Sequence, residues 1–322
     1  MANAWKREAR NPNILLLSLI LIFSILIFLH IFSSNPTPST LSTSSSLSQP
    51  SFRLSPARSF PIPPFDCSRS PQAYPVIANT VENLRHPFLY SLPDFGSLPE
   101  KPHKNIVRLL KGKAFRRPDI SATVQELLQQ YDKQDGVMVD VGANVGMASF
   151  AAAAMGFRVL AFEPVLENLQ RLCDGIWFNR AGNMITLFEA AVSDRVGNLT
   201  FHKLVGRLDN SAVSAAGAKL AFKSNEEIAI DVRAIRLDDM VPETEKVLLL
   251  KIDVQGWELH VLRGAAKLLS RKKGEAPFLI YEEDEKLLQA SNTTVKQIRD
   301  FLRSVGYGQC SMHGTDAHCT KT

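Results

Sequence analysis

The spacing of apolar positions changes several times along this chain, and each change predicts an element. Residues 14–32 are almost unbroken in apolar character, interrupted only by Ser18, Ser24 and His30. Wound as a helix, that stretch reaches about 28 Å, the thickness of a bilayer core. Over 33–65, Ser, Pro and Thr take over, which predicts an extended stem with too little apolar surface to fold. Later come short continuous apolar runs, at 137–141, 158–162, 185–192, 247–252 and 278–283. Separated by helical spacing, they predict buried parallel strands in an α/β fold: a mostly parallel, doubly wound sheet with helices on both faces. Two more strands, 199–204 and 228–235, stand where such a fold usually has a helix, an insertion placed to shape a second pocket. After a helix over 294–305 only GYGQCSMHGTDAHCTKT remains, room for one closing strand but hardly for two.

The densest chemistry is VMVDVGANVGMASFAAAAMGFRVLAFEP, a strand, a glycine turn, a helix and a strand ending in an acid. Gly142 permits a turn that a side chain would obstruct, Gly146 lets the next helix start close to the strand, and alanines keep that helix narrow. Glu163 ends the second strand where a ribose hydroxyl pair can donate to it. A dinucleotide fingerprint reads G-x-G-x-x-G, whereas here Asp140, Gly142, Asn144 and Gly146 carry the spacing. A side chain at Asn144 crowds a pyrophosphate but suits the amino-acid end of S-adenosylmethionine, so a methyl donor is favoured over NAD. Ser193 and Asp194 end the third strand and are candidates for the adenine or its ribose; a plain turn is the competing reading. Asp253 emerges at the carboxyl edge of the sheet, where ligands of open α/β folds sit. Asp253 or Glu258 could take the proton of an acceptor hydroxyl. Glu258 is equally read as a first-turn acid favoured by the helix dipole.

DVGANVG, AFEP, AAVSD, KIDVQGWELHVLRGA and FLIYEE together resemble the FkbM family of S-adenosylmethionine-dependent methyltransferases, over about 114–308. The resemblance implies a Rossmann-like class I methyltransferase fold, S-adenosylmethionine as methyl donor and a hydroxylated acceptor. Gln255 stands where the family usually has Glu, and Asp284 near where it often has His. The expected organisation is a cytosolic tail (1–13), a transmembrane signal anchor (14–32), a stem (33–65), an N-terminal extension (66–113) and a methyltransferase domain (114–322).

Lys6, Arg7 and Arg10 precede the apolar stretch and no charge follows until Arg53, which orients the anchor as type II with the bulk of the chain extracytosolic. Tail, anchor, stem and catalytic domain resemble the layout of Golgi glycan-modifying enzymes, so a glycan hydroxyl in the Golgi, or alternatively the endoplasmic reticulum, is the expected acceptor. Asn198 and Asn292 begin glycosylation sequons. The net charge of +5 is concentrated: Lys101 to Arg117 holds seven Lys or Arg and no acid. That stretch reads as a basic amphipathic helix, either packing on the core or meeting an acidic polysaccharide or lipid headgroups; nucleic acid is not expected behind a membrane. The four cysteines allow three full pairings. Cys173 reads as a core residue and Cys310 with Cys319 as the disulfide, and no Cys/His grouping suggests a metal. Two rival functions remain at this point, a nicotinamide-dependent oxidoreductase and a non-catalytic anchored protein that keeps the fold.

Overall fold

The apolar runs do lie side by side. The computed structural model describes residues 60–73, 76–92, 96–97, 101–102, 107, 110–112, 119–220, 223 and 225–322, all within the compact unit Arg58–Thr322. A hairpin of β1 (Ala78–Val81) and β2 (Phe88–Ser91) comes first, then α1 (Asp119–Leu128), β3 (Val137–Val141), α2 (Met147–Ala154), β4 (Arg158–Glu163) and α3 (Leu166–Phe178). β5 (Ile185–Glu189), β6 (Ala191–Val192), β7 (Gly197–Leu204), α4 (Ala215–Ala218), β8 (Glu227–Ile235) and α5 (Leu237–Met240) follow. The chain continues through β9 (Val247–Ile252), α6 (Glu258–Gly264), α7 (Ala266–Leu269), β10 (Phe278–Glu282), α8 (Glu285–Ala290), α9 (Val295–Ser304), β11 (Gln309–His313) and β12 (Asp316–Thr320).

The main sheet runs β11-β12-β10-β9-β3-β4-β5. Its first five strands in sequence are parallel, while β12 is antiparallel to both β10 and β11. This is the class I methyltransferase-like arrangement. The order reverses between β3 and β9, and in open α/β sheets such a switch point is where ligands bind. Every residue of β3 and β9 is buried, because helices cover both faces, and strands enclosed on both sides must be apolar throughout. The exceptions pair with each other: Lys251 on β9 is the register partner of Asp140 on β3, and its Nζ lies 3.2 Å from Asp140 Oδ1. Burial works against the lysine's charge, but Asp140 and then Asp253 outweigh it and hold its pKa above the usual range. Removing one partner of such a buried pair costs about 3–5 kcal/mol, so the two charges clamp the central strands.

Three expectations need correction. Two closing strands fit, not one, because the turn between β11 and β12 takes only Gly314 and Thr315, with Gly314 at φ +69°. β12 then buries Ala317 and Cys319 fully against the core and pairs along β10. The strand read over 185–192 breaks at Ala190, and β6 leaves the main sheet to pair with β8. With β7 antiparallel to β8, these strands make a separate three-stranded sheet, the insertion that the sequence pattern placed here. Finally, Cys173 is no unpaired core residue: it is bonded to Cys67, and Cys310 to Cys319.

Residues 60–65, Pro-rich and assigned to the stem by composition, run along the domain. Ile62 is buried, Phe60 meets Phe188 edge-on at 4.9 Å, and the Phe65 N–H donates to the Leu187 carbonyl. Three large apolar side chains between prolines suffice to dock the segment. The span 14–32 and most of the basic stretch 101–117 lie outside the described residues. Among the described residues no helix is long and apolar enough to cross a membrane.

Candidate active site

The carboxyl ends of β3, β4 and β9 border a cleft at the switch point of the sheet. Gly142, Asn144, Glu163 and Asn168 form one wall and Asp253, Val254, Gln255 and Trp257 the other. The insertion contributes Phe201 from β7 and Leu208, Asp209, Ser211 and Val213 from the connection between β7 and β8.

The first wall is held from within. Gly142 sits at φ +74°, and a Cβ there would fall 1.9 Å from the Asp253 carbonyl oxygen, so only glycine lets β3 and β9 open into adjoining loops. Asn144 also adopts a positive φ, +52°, a conformation Asn tolerates better than most residues. The N–H groups of Gly142 and Ala143 donate to the Phe162 carbonyl, that of Asn144 to Glu163 Oε2 at 2.8 Å, and that of Gly146 to Ala143. Glu163 Oε1 accepts from the Val165 N–H at 3.0 Å and the Asn168 amide at 3.1 Å. Burial raises the Glu163 pKa, and these donors, with Lys251, oppose the rise.

The loop is therefore poor in free donors and rich in acceptors. A pyrophosphate needs backbone N–H groups directed at it, and four of this loop's N–H groups are already engaged inside the protein. Asn144 Oδ1 and Asn168 Oδ1, by contrast, are buried acceptors with no partner, and both residues line the cleft. Buried polar atoms of this kind call for donors. The ammonium and ribose hydroxyls of S-adenosylmethionine would supply such donors, whereas a dinucleotide brings no ammonium and a pyrophosphate that itself needs donors.

Other residues singled out from the sequence lie behind the walls. Asp140, fully buried, accepts from Ser149 Oγ at 2.6 Å and pairs with Lys251. At Gly146 a Cβ would strike the Phe150 ring at 2.4 Å, so this glycine serves helix packing. Ser193 Oγ accepts from Trp257 Nε1 at 3.2 Å and Asp194 binds His260 Nδ1 at 2.9 Å. Burial alone would raise the Asp194 pKa, but His260 turns the balance and lowers it. Trp257 and His260 stack at 3.7 Å, so Ser193 and Asp194 brace the indole wall rather than line the cleft. Glu258, 1 % exposed, accepts through Oε1 from the N–H groups of Val254 and Gly256, each at 3.1 Å, tying down its own loop. Burial pushes its pKa up to about 7.

Asp253 keeps a half-exposed carboxylate at the switch point. Gln255, at φ +54°, donates from one amide nitrogen to Asp253 Oδ1 at 3.0 Å and to Glu282 Oε2 at 2.9 Å. Glu282 and Asn168 were not marked as site residues from the sequence. Only the position of Glu282 at the end of an apolar strand signalled it, and the ribbon residues Phe201 to Val213 carry no motif at all.

Residues 140–308 match the Methyltransferase FkbM domain. The 2-O-methyltransferase NoeI of Sinorhizobium fredii is 27 % identical over 203 residues, 59 % of this chain and 81 % of that protein. The hexuronic acid methyltransferase AglP of Haloferax volcanii is 28 % identical over 148 residues, 45 % of this chain and 56 % of AglP. The crystal structure of Methyltransferase FkbM from Methylobacillus flagellatus aligns with a TM-score of 0.40 at 16 % identity, covering 63 % of this chain and 55 % of that one. With the matched residues making up more than half of the chain and carrying both walls of the cleft, the chain belongs to the FkbM family of S-adenosylmethionine-dependent methyltransferases.

Proposed function

We propose that the protein is an O-methyltransferase that methylates a sugar hydroxyl of a glycan in the secretory pathway. The observation that carries the donor half is the pair of unpartnered acceptors, Asn144 Oδ1 and Asn168 Oδ1, beside a loop whose N–H groups are engaged. The acceptor half is supported by two relatives, one named for 2-O-methyl transfer and the other for methylation of a hexuronic acid. When bound, the sulfonium donor supplies an electrophilic methyl group to an oxygen approaching in line.

In this reading Glu163 accepts from the ribose, with one lone-pair direction left on Oε2 beyond its bond to Asn144. Asn144 Oδ1 receives the ammonium end. Asp253 takes the proton from the sugar hydroxyl, and Phe201, Leu208 and Val213 keep water from the reacting oxygen. The expected setting is a type II anchor in the Golgi membrane, or else the endoplasmic reticulum, with the domain lumenal. All four cysteines are disulfide-bonded, which supports an oxidising compartment, and the sequon residues Asn198 and Asn292 are both exposed.

Full-length protein incubated with methyl-labelled donor and fractionated secretory glycans should yield label as base-stable methyl ethers on sugars. Label confined to protein or lipid would overturn the acceptor class. Protease digestion of sealed microsomes should leave the domain intact until detergent is added; digestion without detergent would overturn the lumenal placement.

A further inference from the structure

Ile252 and Tyr281 are register partners on adjacent parallel strands, so the residues that follow them, Asp253 just past β9 and Glu282 at the end of β10, lie side by side. One Gln255 amide nitrogen binds both carboxyl groups, at 3.0 and 2.9 Å. The bridge comes from a residue held in the left-handed region, where a non-glycine side chain persists only if its surroundings enforce it. Four carboxyl groups face Glu282: Asp253 at the end of β9, Glu258 on α6, its register partner Asp316 on β12, and Asp284 at the cap of α8. The cations nearby are directed elsewhere. Arg299 holds Glu283 through two bonds, and Lys251 lies 3.9 Å from Asp253 but binds Asp140 and the Gly142 carbonyl more closely. Burial and these neighbouring acids disfavour a negative charge on Glu282.

We propose that Asp253 and Glu282, joined through the Gln255 amide, act as one proton-holding pair that releases a proton when the cationic donor enters and takes up the acceptor's hydroxyl proton as the methyl group is transferred. The inference rests on the donor reading above and deepens it. Transfer breaks the sulfur–carbon bond, whose electron pair stays on sulfur, and forms the oxygen–carbon bond. The hydroxyl proton goes to the pair, so charge lost at sulfur is matched by charge gained at the carboxyl groups. Burial first, then Asp253 and the three other acids, push Glu282 up to about 9. A unit positive charge entering a partly buried site lowers a neighbouring carboxyl's proton affinity roughly ten- to hundredfold, enough to release that proton near neutrality. Asp253 is the catalytic residue of the pair and Glu282 acts through Gln255 as a positioning residue.

The test is calorimetric and needs no turnover. Full-length protein is titrated at about pH 8 with S-adenosylmethionine and, separately, with the uncharged S-adenosylhomocysteine, each in phosphate and in Tris, whose ionisation enthalpies differ. The sulfonium ligand should release roughly 0.5 to 1 proton per site more than the thioether. Glu282→Gln should reduce the difference to near zero while the thioether still binds. Should that variant fail to fold, Asp253→Asn should at least halve the difference by removing the acid that acts most strongly on Glu282. Equal proton counts for the two ligands in the wild-type protein, or the full difference surviving in either folded variant, would overturn the pair's role and leave the donor reading intact. Failure of both ligands to bind would overturn the donor reading and this one with it.

Discussion

The two walls of the cleft are built on opposite plans. The wall of Gly142, Asn144, Glu163 and Asn168 comes from 27 consecutive residues, and its carboxylate is satisfied by three donors from the same stretch. The facing wall gathers Phe201 to Val213, Asp253 to Trp257 and, behind them, Glu282, and its carboxyl groups crowd one another. Local wiring satisfies the first carboxylate from within its own stretch, and the long-range assembly gathers several carboxyl groups on the other wall. In the proposed reading binding and chemistry fall to different halves, which substitutions can separate.

The largest separation is expected at Asp253. Asp253→Asn should lower kcat about 10²- to 10⁴-fold while binding of S-adenosylhomocysteine changes by less than about threefold; a loss of thioether affinity to match the rate would merge the two halves again. Gly142→Ala should act on the other wall through the fold itself. A Cβ 1.9 Å from a backbone oxygen, at positive φ, should cost about 3 kcal/mol in urea denaturation, and wild-type stability would break the argument for loop closure. Glu163→Ala leaves the N–H groups of Asn144 and Val165 and the Asn168 amide without their acceptor, and should weaken calorimetric donor affinity roughly 10- to 100-fold. Unchanged affinity would remove its assignment.

The smallest effect tests the crowding. Glu258 is held near 7 in the folded chain by burial, above its ordinary 4.5, so the native state keeps a proton that the unfolded chain gives up between those values. Its contribution is thus most favourable below about pH 4.5 and is lost as pH rises toward 7. Glu258→Gln should remove that slope. Melting curves should place the variant below wild type at about pH 5 and above it, by about 1 to 2 kcal/mol, at about pH 8. Parallel pH profiles for the two proteins would show that the buried carboxyl does not titrate in this range.

Much of this was legible in the residues themselves. The run from Val137 to Pro164 shows its strand, turn, helix and acid because all its partners lie within one βαβ unit, and Gly142 and Glu163 line the cleft as their spacing implied. Asp140 and Gly146 belong to the same motif, yet their side of the strand and helix faces the interior, a direction that spacing alone does not give. Ser193 and Asp194 were placed at the right sheet edge, but the break at Ala190 turns them toward Trp257 and His260. The second closing strand does not follow from the sequence because strand length is hard to judge when a two-residue turn saves chain.

The sequence by itself determined the doubly wound order of strand and helix, the glycine turn and the acid after the second strand, since each depends on neighbours within a few residues. Only the tertiary structure decided the Cys67–Cys173 bond across 106 residues, the Asp140–Lys251 clamp and the Asp253–Gln255–Glu282 bridge. These pairings depend on which strands lie adjacent in the sheet, and adjacency is settled by packing the whole core, not by any one segment of chain.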